Sequence, residues 1–140
     1  MLDDLTNLQA LLKDSTLLAT RGYIAGEWCD GENGQTFPVY NPARGDVITD
    51  VADISRTQTA EAISIAEKAQ KLWAARPAKE RSNLLRNWYN LMMENQEDLA
   101  TILTAEQGKP IEEAKGEIAY GASFIEFFAE EAKRVYGETI

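Results

Sequence analysis

The sequence predicts an α+β segment in which a short β-hairpin and a third strand are followed by three α-helices. Two observations lead there. Between residues 23 and 54 the apolar residues are largely aromatic and β-branched, in short runs bounded by Gly, Asn and Pro, as in small strands joined by turns. From residue 55 onward they recur every three or four positions, the spacing of one face of a helix. The chain therefore divides into an N-terminal extension over 1–20, strands over 21–54 and helices over 55–140.

In the extension, Leu5, Leu8, Leu11 and Leu12 stand at helical spacing, which suits either a short amphipathic helix or a frayed terminus. Tyr23 to Trp28 reads as the first strand, and Asp30-Gly31-Glu32-Asn33-Gly34 as a hairpin turn, because Gly and Asn tolerate positive φ. Thr36 to Tyr40 then returns as its partner. Pro38 has no amide to donate, so this strand lies at an edge or pairs on only one side there. Asn41 to Asp46 is a second turn, leading into a third strand over Val47 to Ile54.

Ser55 with Gln58 three residues on is a capping box that opens the first helix. Ala62, Ile65, Ala66, Ala69, Leu72 and Trp73 mark its inner face, and Pro77 ends it. The second helix carries Leu84, Leu85, Trp88, Leu91, Met92, Leu99, Ile102 and Leu103 inward and stops at Gly108. The third starts at Pro110, with Glu112 and Glu113 against the positive end of the helix dipole. Its apolar residues exceed one stripe: Ile111, Ala114, Ile118, Ala122, Ile125, Ala129 and Ala132 form one face, while Tyr120, Phe124, Phe127 and Phe128 spread onto another. Such a helix wants burial on two sides. Gly137 caps it, and Thr139-Ile140 reads as the start of a further strand. A contiguous aromatic patch calls for a partner, so the pattern implies either missing chain or self-association through the third helix.

Length and composition fit one soluble domain: 140 residues, 44% hydrophobic and 26% charged. With 14 basic against 23 acidic residues, the net charge is −9 and the cations form no stripe, which argues against nucleic acid as a partner. No apolar run has the length of a membrane span, and the start Met1-Leu2-Asp3-Asp4 lacks the positive charge of a secretory leader. A cytoplasmic location is the expectation. Histidine is absent, which removes imidazole bases and most transition-metal sites from this segment.

The remaining candidates for chemistry are few. Cys29 lies beside Asp30 and near Glu27, carboxylates that disfavour a thiolate, so a structural role fits it better than a nucleophilic one. The pairs Glu97-Asp98, Glu112-Glu113 and Glu130-Glu131 lie on helices, where adjacent side chains diverge; they read as solvated faces. Gly31 to Gly34 leads into a strand, whereas a dinucleotide fingerprint opens a helix. The residues alone thus specify no catalytic constellation, no metal site and no cofactor site in this segment.

Three motifs add a resemblance. Tyr23-Ile24-Ala25-Gly26-Glu27-Trp28, Tyr40-Asn41-Pro42-Ala43 and Glu106-Gln107-Gly108-Lys109-Pro110 occur in the order and at the spacing of the start of aldehyde dehydrogenases. The stretches Arg86 to Met93 and Ala114 to Glu131 resemble the bacterial succinate-semialdehyde dehydrogenase branch of that family. The resemblance runs from about Gly22 to Ile140 and implies the N-terminal part of the aldehyde dehydrogenase α/β fold, with residues 55–140 as an incomplete piece of the cofactor-binding domain. It implies a parent that oxidises succinic semialdehyde to succinate with NADP or NAD, through a cysteine thiolate lying beyond this chain. By itself the segment is then expected to be inactive and to bind no cofactor. The implied partners are the remainder of its own chain, a small aldehyde and further copies in a homo-oligomer. Gly116 and Tyr120 fall at positions that face the substrate tunnel in relatives. Two other readings compete: a dehydrogenase for another ω-carboxylic aldehyde such as glutarate semialdehyde, and a non-enzymatic helical interaction module.

Overall fold

Residues 7–137 are described by the computed structural model. In chain order they form helix α1 (Leu8–Leu11), strands β1 (Gly22–Ile24), β2 (Glu27–Cys29), β3 (Thr36–Tyr40) and β4 (Val47–Ala52), then helices α2 (Arg56–Ala74), α3 (Ala78–Glu94), α4 (Gln96–Gln107) and α5 (Ile111–Glu131). Strands precede helices as predicted, with differences in detail. The short helix expected in the extension is α1, whereas Leu5 lies outside the described residues, as do Thr139 and Ile140.

The strand expected over 23–28 is itself a hairpin. Ala25 and Gly26 both take positive φ, 57° and 89°, the backbone of a two-residue primed turn. The chain doubles back so that Tyr23 faces Trp28, with ring centroids 5.0 Å apart. Consequently β3 pairs with β4, Phe37 opposite Val51, and not with the strand before it. The glycine-rich stretch becomes a 3-10 turn, Glu32–Gly34, that links two separate two-stranded sheets. Pro38 lies opposite Asp50 in a sheet where both strands are edges.

The second predicted turn closes the β3–β4 hairpin. Asn41 is buried; its Oδ1 accepts from the Ala43 amide at 2.9 Å, and its own amide donates to the Asp46 carbonyl. Gly45 supplies positive φ at 79°. The capping box is present at α2: Ser55 Oγ accepts the Gln58 amide, and Gln58 Oε1 accepts the Ser55 amide at 3.0 Å.

The expected second helix is two helices. At Asn95 the backbone leaves helical geometry (φ −105°, ψ 17°), and its side-chain Nδ2 donates to the Leu91 carbonyl at 2.8 Å. A short amide competing for backbone partners ends one helix and lets the next begin with Glu97 and Asp98 in its first turn. Contrary to the inner face expected for them, Leu84, Trp88 and Leu91 are exposed on α3, and α3 packs against α5. Gly108 ends α4 in the left-handed conformation at φ 78°, as predicted. A Cβ there would come within 3.0 Å of Pro42. Gly137 does not cap α5, which stops at Glu131. Beyond it the amides of Lys133 and Arg134 bond to Glu130 and Glu131 in a tightened last turn, and Val135 and Tyr136 are exposed.

Burial is thin. One small cluster joins Leu8 and Leu12 to Ala105, with Leu18, Ile48 and Ile102 against it. The other fully buried apolar residues are alanines, Ala100 in α4 and Ala114, Ala122 and Ala129 in α5. Helix α2 contains no buried residue. The surface totals 10049 Å², against roughly 7,300 Å² for a compact monomer of this mass. The aromatic and aliphatic stripes on α2, α3 and α5 are thus left largely uncovered by the described residues.

Candidate functional site

Both candidate site residues lie on α5, whose outer face is formed by the aromatic residues that did not fit its inner stripe. Gly116 and Tyr120 are four positions apart, one turn along the same face. Tyr120 is 66% exposed, and its ring meets Phe124 edge-on at 4.9 Å. Phe127 and Phe128 make a second edge-on pair at 5.3 Å. Tyr120, Ser123, Phe124, Phe127 and Phe128 line an open, mostly apolar groove of about 500 Å³. Gly116 lies one turn outside that lining, and a Cβ added there would meet nothing within 4 Å.

The inner face of α5 carries Ala114, Ala122 and Ala129, all with no exposed surface. Small side chains let α5 approach α3 and α4 closely. Polar clamps hold it at both ends. Near its start, Gln96 Nε2 donates to the Lys115 carbonyl at 3.0 Å. Lys115 Nζ lies 2.9 Å from Glu97 and 3.2 Å from Glu112, and these carboxylates, Glu97 foremost, raise its pKa. Further along, Arg86 of α3 donates to Glu126 at 2.5 Å and to Glu130 at 2.7 Å. Its guanidinium also lies 5.3 Å from the Tyr89 ring centroid. Hydrogen bonds from Lys133 first, then Arg86, pull the Glu130 carboxyl below the usual glutamate range.

Sequence reasoning missed two of these features. Asp98 does not lie on the solvated face its helical spacing predicts: it is 5% exposed and accepts the amides of Lys13 and Asp14 at 3.1 and 2.8 Å. Glu97, Glu112, Glu130 and Glu131 are each in an ion pair with a nearby cation. The Arg86 clamp joins residues 40 and 44 positions apart; its one sequence trace is the pair Glu126 and Glu130, a helical turn apart.

The glycine-rich turn at Gly31 offers no phosphate cradle. Gly31 precedes a 3-10 turn and strand β3, and the space beside it is filled by its own chain, since an added Cβ would lie 2.3 Å from the Gln35 carbonyl oxygen and 2.5 Å from that of Asp53. No phosphate can enter there. Among the described residues no group of His, Cys, Asp and Glu could hold a metal ion, and no helix is long and apolar enough to cross a membrane. Cys29 is half-buried at the end of β2, with its Sγ 3.6 Å from the Glu27 carbonyl oxygen.

The profile of the aldehyde dehydrogenase family matches residues 28–140. The chain belongs to the aldehyde dehydrogenase family. It is 59% identical over 129 residues to a glutarate-semialdehyde dehydrogenase of Pseudomonas putida, and 54% identical over 129 residues to the NADP(+) succinate-semialdehyde dehydrogenase GabD of Escherichia coli. Each match covers 92% of this chain and 27% of the relative. The crystal structure of a succinate-semialdehyde dehydrogenase from Burkholderia pseudomallei superposes with a TM-score of 0.88 at 50% identity, over 92% of this chain and 27% of that one. The chain therefore spans about a quarter of the length of the aldehyde dehydrogenases it matches. Two of the motifs behind the sequence resemblance have an architectural role here: the turn at Asn41-Pro42-Ala43 packs against the helix junction at Gly108.

Proposed function

We propose that these residues form the N-terminal part of an NADP- or NAD-dependent dehydrogenase that oxidises succinic semialdehyde to succinate, with water as the source of the added oxygen. The observation that carries this reading is the identity above 50% over nine-tenths of the chain to semialdehyde dehydrogenases. The Pseudomonas relative keeps glutarate semialdehyde as the alternative substrate. Both are short aldehydes with a distal carboxylate. The catalytic cysteine and the nucleotide site belong to the part of the protein beyond these 140 residues, in a cytoplasmic homo-oligomer. This segment contributes a wall.

Within that wall, Gly116 and Tyr120 face the substrate tunnel. The exposed Tyr120 ring and the apolar groove running from it along α5 suit the methylene chain of such an aldehyde, and Gly116 leaves space one turn away. The test is steady-state kinetics of the full-length enzyme with Tyr120→Ala. A raised KM for succinic semialdehyde with altered preference against glutarate semialdehyde is expected. Unchanged KM and selectivity would remove Tyr120 from the tunnel, and an absence of NAD(P)H formation from either aldehyde by the unmodified enzyme would remove the substrate assignment.

A further inference from the structure

The buried stripe of α5 is made of alanines, and among the described residues no large side chain is fully buried. Interlocking of large side chains normally fixes the rotation of one helix against another. The isoleucines of the same face, Ile111, Ile118 and Ile125, are only half-buried, and a stripe of methyl groups between them gives close approach but few knobs to resist turning, so the angular setting of α5 is shared with its polar contacts. At its N-terminal end these include Gln96 to the Lys115 carbonyl, Lys115 to Glu97 and Lys109 to Glu117. In the half that carries Phe124, Phe127 and Phe128, the inter-helix clamp is Arg86 with its two carboxylates. Glu126 and Glu130 are one turn apart, and they flank Phe127 and Phe128 in sequence. A planar guanidinium held by two carboxylates on successive turns resists both rotation and sliding, which a single ammonium contact does not.

From this geometry we infer that Arg86 is a positioning residue: through Glu126 and Glu130 it sets the rotation of α5 and so aims the aromatic face at the substrate. The inference rests on the reading of that face as a tunnel wall. The guanidinium of Arg86 is taken up by Glu126, Glu130 and the Tyr89 ring, so it acts through α5 and not on the aldehyde itself. Its removal alters how well the aldehyde is seated, which registers in KM, while the distant reacting groups and kcat are largely spared.

The experiment uses the full-length enzyme with Arg86→Met, Arg86→Lys and the double variant Glu126→Gln with Glu130→Gln. Expected for Arg86→Met is a KM for succinic semialdehyde raised about fivefold, equal to about 1 kcal/mol, with kcat within about twofold. Arg86→Lys keeps the charge but loses the fork, and recovers part of the loss. The double variant, which retains Arg86, reproduces the defect and stands in if Arg86→Met does not fold. Incorporation of 4-fluorophenylalanine gives a readout independent of turnover: the fluorine resonances of Phe124, Phe127 and Phe128 shift in Arg86→Met and move back in Arg86→Lys. Folded variants with unchanged KM and unchanged fluorine spectra would overturn the inference. If the resonances shift while Tyr120→Ala leaves selectivity intact, the tunnel reading fails and Arg86 still sets α5. If Tyr120→Ala changes selectivity but neither Arg86 variant moves KM or the resonances, the positioning role alone fails.

Discussion

The carboxylate of Asp98 accepts the backbone amide of Asp14 at 2.8 Å, across 84 positions of sequence. With the neighbouring bond from the Lys13 amide, it fastens the segment after α1 to the first turn of α4. Charge-assisted bonds to a buried acceptor are among the stronger ones, and orphaning their donors costs about 1–3 kcal/mol. Asp98→Ala is therefore expected to free residues 8–18 from the helices, with hydrogen exchange at the Lys13 and Asp14 amides accelerated towards that of an open chain. Unaltered exchange at both would show that the α1 packing holds without the carboxylate.

Gly31 and Gly34 separate two reasons for a glycine. At Gly31 a methyl group would collide with the carbonyl oxygens of Gln35 and Asp53, which are backbone and cannot rotate aside. At Gly34 the space is open but φ is 71°. Gly31→Ala is expected to cost about 3 kcal/mol and Gly34→Ala roughly 1 kcal/mol, read as denaturant midpoints. The reverse order would contradict the tight turn.

Gly116→Ala should act in opposite directions on two readouts. Among the described residues nothing comes within 4 Å of the new methyl group, and replacing a mid-helix glycine by alanine stabilises a helix by about 0.5–1 kcal/mol. Thermal stability should rise. If the residue borders the tunnel, KM for the aldehyde should rise with it. Higher stability with unchanged KM would place Gly116 away from the substrate.

Glu130 gives a pH dependence of defined sign. Its folded pKa is depressed by Lys133 and Arg86, so its ion pairs contribute above the ordinary glutamate pKa of about 4.3. That contribution is lost as pH falls through the lower folded value. Carboxyl carbon resonances should show Glu130 titrating below an exposed glutamate, and Arg86→Met should move its midpoint upward while Lys133 keeps part of the depression. A midpoint indifferent to Arg86 would mean that Lys133 alone sets it.

Local chemistry was readable and long-range pairing was not. Ser55 with Gln58, Gly108 and Pro110 mark helix ends through their own backbone requirements, and each stands where the sequence predicts. The β1–β2 turn went unread because Ala25 holds a positive φ that its residue type does not advertise. Asn95 was hidden inside a continuous apolar period. The aromatic residues of α5 were recognisable as a second face, and the described structure leaves them uncovered. Asp98 and Arg86 find partners whose positions only the folded topology brings near, so no local pattern distinguishes them from surface charges.

Gln58 does more than complete its cap. The same Oε1 that accepts the Ser55 amide also accepts the Glu32 amide, and its Nε2 donates to the Asp30 carbonyl. Starting a helix is its costliest step, since several residues must be fixed before the first bond repays them. Here part of that nucleus is supplied by the linker between the two hairpins. The first turn of α2 and the turn before β3 thus share one residue's hydrogen bonds, so fraying of this helix is expected to begin at Ala74 and to reach Arg56 only when the linker between the hairpins lets go.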